Sequence, residues 1–266
     1  FFTIPKLRAY PYSISSPLRA WEGASRLSPY LAYGVVSDRE VLFKLNSLVN
    51  TAHGQCKPEE IEKIESAARF YVERFIWRHS YFQQFERTPQ LEDEALLEGE
   101  AVLTQPEEHQ RIFTAWRLGH TGFPYMDALQ RSLHATGWLN MRARAALVSF
   151  GCVQLGLNWR EVALHLAREF LDFEPAIHYG QVRIASGTSH FERMLVYDPI
   201  KQSQDHDPKG VFIKRWVPEL RTLPVDHVHA PSPQTLLDLG LNYPAPLVDN
   251  ALSLKTGKAR LAALRK

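Results

Sequence analysis

The sequence predicts a mainly α protein, on three observations. Strand-like alternation of apolar and polar residues is nearly absent, and several stretches repeat their apolar residues every three to four positions. Two of those stretches open with a Ser or Asn followed three residues later by a Glu, the spacing of a helix cap. With 266 residues, 45% of them hydrophobic and 23% charged, the chain can bury a large core, as one large domain or two smaller lobes.

In chain order, residues 1–30 are rich in Ser, Pro and Tyr and predict an extended, turn-rich lead-in. Ser37 and Glu40 set a helix start near Asp38. Pro58 opens a helix of about 28 residues, carrying a stripe of Ile61, Ile64, Ala68, Tyr71 and Phe75, with Phe82 two turns on. The acidic stretch 88–109 predicts a surface loop, "GHTGFP" a turn, and "YMDALQRSLHAT" a short helix stopped by Gly137. Two amphipathic helices follow, joined by "GLN", the second capped by Asn158 with Glu161. After "DFEPAIHYGQVRIASGTS" the chain is expected to be irregular, with a short helix around "GVFIKRWVPEL". Residues 231–266 form a Pro-punctuated tail ending in a basic terminal helix.

The net charge of +2 hides an asymmetry: residues 1–130 carry 14 Lys/Arg against 17 Asp/Glu, and residues 131–266 carry 17 against 12. The basic second half suits a polyanion partner and equally suits a solvated surface. Cys56 and Cys152 lie far apart with no C-x-x-C pattern, which predicts a reducing, intracellular setting, cytoplasmic or organellar. No apolar run reaches the roughly 18 residues of a membrane span, and "FFTIPKLRAYPY" lacks the regions of a secretion signal.

The common nucleotide, zinc-protease and hydrolase signatures are absent. "DHD" (205–207) and "DHVH" (226–229) read as polar loops, so no metal site is expected. Arg144 is the anomaly: it is in phase with Leu147, Val148, Gly151 and Leu155, the stripe that should face the core. Antiparallel helices joined by a short connection return Glu169, Asp172 and Glu174 to its side, and an Arg144–Asp172 pair is geometrically reasonable. On these residues alone it could be a plain core salt bridge. "GASRLSPYLAYG" offers Ser25, Arg26 and Ser28 before a helix, a combination suited to phosphate oxygens and also to an ordinary turn.

Together "ASRLSPYLAYGVVSDREV", "FIWRHSYF", "TGFPYMDALQRSLHATGWLNMRAR", "NWRE" and "YDPIKQSQDHDPKGVFIKRWVPELRTLP" resemble the helical FAD-binding domain of the DNA photolyase and cryptochrome family, in the family's order and from about Tyr12 to "YPAPLVDN". The resemblance implies an all-helical domain holding FAD in a bent form. Tyr12, Ser25, Arg26, Leu27 and Ser28 would hold the diphosphate, with Ala24 where a Thr is usual, and Tyr71 and Arg78 would line the cofactor. Arg144 and Asp172 match an ion pair beside the flavin ring, where the cation faces a ring that changes charge with its redox state. Glu174 would lie in the same cofactor-lining set. His178 stands where an Asn sits beside the reactive flavin nitrogen, and Met141, with Asn140 adjacent, where the Asn of the "GW-x-x-N" block is expected.

The departures concern the substrate side. Among lesion-contacting positions Trp77 is kept, Arg74 replaces a Glu, and Val182 and Ile184 replace the aromatics of a second platform. Of three relay tryptophans only the middle one is matched, as Trp159; the inner position is Val182 and the outer falls near Pro106. Trp138, Tyr179 and His178 offer another route. The family's N-terminal antenna domain is not part of this sequence, so a protein partner in its place is one expectation and DNA, single- or double-stranded, another; no membrane partner is expected. Three activities follow: light-driven repair of pyrimidine dimers, a cryptochrome-like blue-light photosensor, or a non-repair flavin-binding subunit of an assembly.

Overall fold

A computed structural model describes residues 1–97, 108–190 and 196–264. Among the described residues the regular structure is helical throughout, with no strand. Fourteen α-helices run α1 (Ile4–Ser13), α2 (Pro17–Gly23), α3 (Ser28–Ala32), α4 (Asp38–Gln55), α5 (Pro58–Arg87), α6 (His109–Leu118), α7 (Pro124–Thr136), α8 (Met141–Ser149), α9 (Trp159–Glu169), α10 (Pro175–Ser186), α11 (Pro199–His206), α12 (Val211–Trp216), α13 (Pro233–Asp238) and α14 (Asn250–Ala263).

The caps read from the sequence are present. Ser37 and Glu40 close a reciprocal capping box on α4, and the Asn158 side chain accepts from the backbone N–H groups of Arg160 and Glu161. The helix α5 buries Ile64, Ala68, Tyr71 and Phe75 as the stripe requires. Nearly two turns later the buried residue is Tyr81, not Phe82, because α5 there packs on α10.

Residues 1–30 correct the sequence reading: they are not an extended lead-in but three helices, α1 to α3. Pro5, Pro17 and Pro29 sit in first turns, where the missing N–H has no helical partner to lose and the fixed φ favours helix, so the prolines start elements instead of breaking them. The stretch expected to be irregular likewise contains α11, opened by Pro199 and capped by the Asp198 carboxylate on the N–H groups of Ile200 and Lys201. The terminal helix begins earlier than its basic residues suggest, at Asn250, under an Asp249 cap.

Two large apolar clusters organise most of these helices, and a third, small one of Val153, Leu261 and Leu264 seats α14. The first joins α1, α4 and α5 through Leu7, Tyr10, Val41, Leu45, Ile64 and Tyr71. The second is larger and gathers α7 to α10 and α12 around Leu129, Leu147, Phe150, Val162 and Ile213. Ser28, at the start of α3, ties the two by accepting a hydrogen bond from the Trp138 indole at 3.3 Å. The Asp127 carboxylate, buried in the second cluster, accepts from the Thr121 N–H at 2.8 Å and from the Tyr243 hydroxyl, and so pins the "TGFP" turn under the C-terminal tail. Between α8 and α9 the helix widens over Phe150–Gln154 into a π turn, with Leu155 N–H donating to Phe150 O.

Candidate functional site

Gly137 sets the geometry of the site. It ends α7 at a φ of 65°, and its carbonyl oxygen accepts from the N–H of Leu171 at 2.9 Å. A Cβ at this position would stand 2.5 Å from Leu171 Cγ, so only glycine lets the 170–174 loop come this close. The loop thereby presents Asp172 to α8. There the Arg144 Nη2 donates to Asp172 Oδ2 at 2.7 Å, its Nε donates to the Leu139 carbonyl oxygen at 2.8 Å, and its guanidinium carbon lies 3.9 Å from the Phe170 ring centroid. Arg144 keeps 19% of its side chain exposed and Asp172 only 3%. The core-facing cation therefore meets a core carboxylate, as its helical phase demands.

The carboxylate is only half used. Asp172 Oδ1 is buried without a hydrogen-bond partner. Burial alone would raise this carboxyl, but the adjacent Arg144 charge and hydrogen bond, together with the Ser28 hydroxyl, hold it below the usual carboxylate range. His178, on α10, faces the same pair. Its Nε2–H donates to the Ala163 carbonyl oxygen at 2.9 Å, which leaves Nδ1 as an acceptor, and burial pushes its pKa down to about 4.

Arg144, Asp172 and His178 line one cavity whose walls are apolar, with Phe170, Phe173 and Val182 among them; Met141 and Glu174 stand at its rim. The enclosed space is about 40 Å³, room for a few waters. A planar ring is larger than this space, whose mouth is bordered by the exposed Met141 and Phe173. The donor set suits such a ring: a guanidinium, an unpaired buried carboxylate oxygen able to accept from an imide N–H, and an imidazole acceptor among aromatic faces.

The other residues singled out in the sequence divide into groups. Ser25 and Leu27 lie by the first apolar cluster, with the Ser25 hydroxyl beside Tyr71; burial pushes Tyr71 up to about 12, and the hydroxyl works against that shift. Ser28 bridges toward Trp138 and Asp172. Arg26 has a positive φ of 53° and stacks its guanidinium 3.8 Å from the Trp21 ring centroid, at the surface. Tyr12 is 79% exposed and lines an open groove between α1 and α5, apart from the cavity. Arg78 pairs with Asp38 at 3.6 Å, and the Asn140 amide donates to the Ile14 and Ser15 carbonyl oxygens.

Of the positions that the resemblance ties to a lesion, Trp77 is 47% exposed, with its ring 6.3 Å from Tyr81. Arg74 is engaged with Glu73 at 3.0 Å. Val182 is core, and Trp159 is buried under the Arg183 guanidinium, 3.6 Å from its ring centroid. The outer relay position near Pro106 lies outside the described residues. Sequence reasoning missed Phe170 and Phe173, which flank Asp172 in "FLDF"; aromatics on both sides of an acid destined for the core were the available signal.

A family model described as the FAD binding domain of DNA photolyase matches residues 71–263. A deoxyribodipyrimidine photo-lyase of Vibrio cholerae is 30% identical over 246 residues, 91% of this chain and 50% of that protein. A cryptochrome DASH of Synechocystis is 30% identical over 238 residues, 85% of this chain and 46% of its own length. Among solved structures, a class III photolyase of Agrobacterium tumefaciens superposes with a TM-score of 0.82 at 25% identity, covering 97% of this chain and 53% of that one. The chain thus spans about half the length of these relatives.

Proposed function

The chain belongs to the DNA photolyase and cryptochrome family, as an FAD-binding domain of that type, and from this premise we propose that it holds one FAD against the Arg144–Asp172 pair and serves light-driven electron transfer. The observation that carries the reading is Asp172: a buried carboxylate neutralised on one oxygen by Arg144 and left without a partner on the other, inside an aromatic-walled cavity. FAD, when bound, supplies light absorption and one-electron chemistry.

The protein's residues do the rest. Arg144 places a fixed positive charge that favours a negatively charged ring, and Asp172 keeps that charge from standing alone when the ring is neutral. Asp172 Oδ1 is available to accept an N–H and so orient the ring. His178, neutral near pH 7 and donating to Ala163 O, offers a lone pair and no N–H at Nδ1, whereas the Asn that the resemblance gives the family at this position could also donate an N–H. Phe170 and Val182, both buried, exclude water.

The substrate this reading takes from its relatives is a pyrimidine dimer in DNA, stacked on Trp77. A photosensor is the second reading, favoured by one observation: Val182 is buried in the cavity wall where a second aromatic platform would stand. Purified protein should show a flavin spectrum with about one FAD per chain. Illumination with a dimer-containing single strand then decides between the two, since dimer loss at the rate of flavin excitation supports repair and its absence supports sensing.

A further inference from the structure

Outside that cavity, three side chains from two helices converge. His134 lies in the last turn of α7, while His165 and Glu169 are one turn apart on α9, on one face of it. His134 Nδ1 is 2.8 Å from Glu169 Oε2, and the two imidazole centroids are 5.8 Å apart. One nitrogen or carboxylate oxygen from each residue falls within 4.8 Å of the other two.

Two features exceed what an ion pair needs. His134 Nε2 is anchored on the Arg117 carbonyl oxygen at 2.7 Å, the outer hydrogen bond that orients a metal-binding imidazole and leaves Nδ1 facing the cluster. Gln130, one turn before His134 and 1% exposed, holds its Nε2 2.9 Å from His165 Nε2 and leaves its Oε1 buried without a partner. With the amide turned over, Oε1 accepts from a His165 Nε2–H. That tautomer presents the other ring nitrogen as a lone pair.

We propose that His134, His165 and Glu169 form a binding site for a divalent cation of the zinc class, with the remaining coordination completed by water. Two imidazoles and one carboxylate suit Zn²⁺, with Ni²⁺ and Cu²⁺ as competitors, and offer too few oxygens for Mg²⁺ or Ca²⁺. Trp116 and Phe113 pack their rings against His165, at 5.4 and 6.2 Å between centroids, and hold the imidazole in place.

The test uses tag-free protein as purified, stripped with chelator and titrated with Zn²⁺ by calorimetry and with Co²⁺ by visible d–d absorption. One saturable Zn²⁺ per chain is expected, together with a Co²⁺ spectrum that Zn²⁺ displaces. Gln130→Ala should weaken binding about tenfold, as loss of an outer-shell partner does. His134→Ala and His165→Ala should abolish the Co²⁺ spectrum. Because His134 is exposed, its variant retains the fold even if loss of the packed His165 ring does not permit folding. A Zn²⁺ isotherm that never saturates, or a saturable one unchanged in His134→Ala, overturns the site.

Discussion

One buried carboxylate and one imidazole carry most of the chemistry read from single residues. Asp172→Asn keeps the shape of the side chain and removes the countercharge of Arg144, so it should cost about 3–5 kcal/mol of stability and sharply lower FAD retention. Full retention at an unchanged melting temperature would refute the pairing. His178 sets a pH dependence of its own. Its pKa falls from 6.5 in an open chain to about 4 in the fold, first through burial, so between those values the unfolded state binds the extra proton. Stability should therefore fall as pH drops from about 6.5 toward 4. Asp172, lowered by Arg144, adds a further loss only as pH falls through its depressed range. In urea titrations His178→Asn should make the decline in the upper window shallower, the rest belonging to His165, which burial also pushes down to about 4, and an equally steep decline in the variant would assign it elsewhere. The Arg144–Asp172 pairing was legible in the sequence because helical phase and a three-residue connection leave few places for the cation to go. The unpaired Oδ1 and the His178 hydrogen bond to Ala163 were not, since both depend on how α8, α9 and α10 meet.

Among the elements, α4, α5, α7 and α9 announced themselves through caps and apolar period, whereas α1 to α3, α10 and α11 did not. In the first three, Pro5, Pro17 and Pro29, which mark breaks when read locally, occupy first turns, and in α10 an almost wholly buried helix has no polar face to give it a period. The contact between α5 and α10 rests on Gly180, where an added Cβ would lie 2.6 Å from the Tyr81 ring. Gly180→Ala should overpack this contact and cost about 1–3 kcal/mol. Trimming Tyr81 to Leu in the same chain should recover part of that loss, a coupling a double-mutant cycle reads directly; strict additivity of the two changes would show that the helices meet elsewhere.

For the whole molecule, the charge division and the tryptophan positions bear on partners and electron supply. If the basic second half binds DNA, affinity should drop steeply with added salt and hardly distinguish damaged from intact strands, because Val182 and Ile184 offer no stacking face. A salt-resistant preference for a dimer would contradict this. Electron supply to an excited flavin needs residues that can lose an electron in succession. Val182 in the cavity wall cannot, and Trp159 is poorly placed to do so: a cation on its ring would sit about 3.6 Å from the Arg183 guanidinium, a repulsion of a few kcal/mol at the effective dielectric of protein interiors. Trp138 differs. Its indole donates to Ser28, beside Asp172, and its ring lies 6.2 Å from Trp21, which is partly exposed and so within reach of solvent. Blue light with an external reductant should therefore reduce the FAD slowly, and Trp159→Phe should change the rate little. Fast photoreduction abolished by Trp159→Phe would mean that the relay works through Trp159 despite Arg183, whereas a rate that instead falls with Trp138→Phe, at unchanged FAD content, would assign it to the Trp138–Trp21 side.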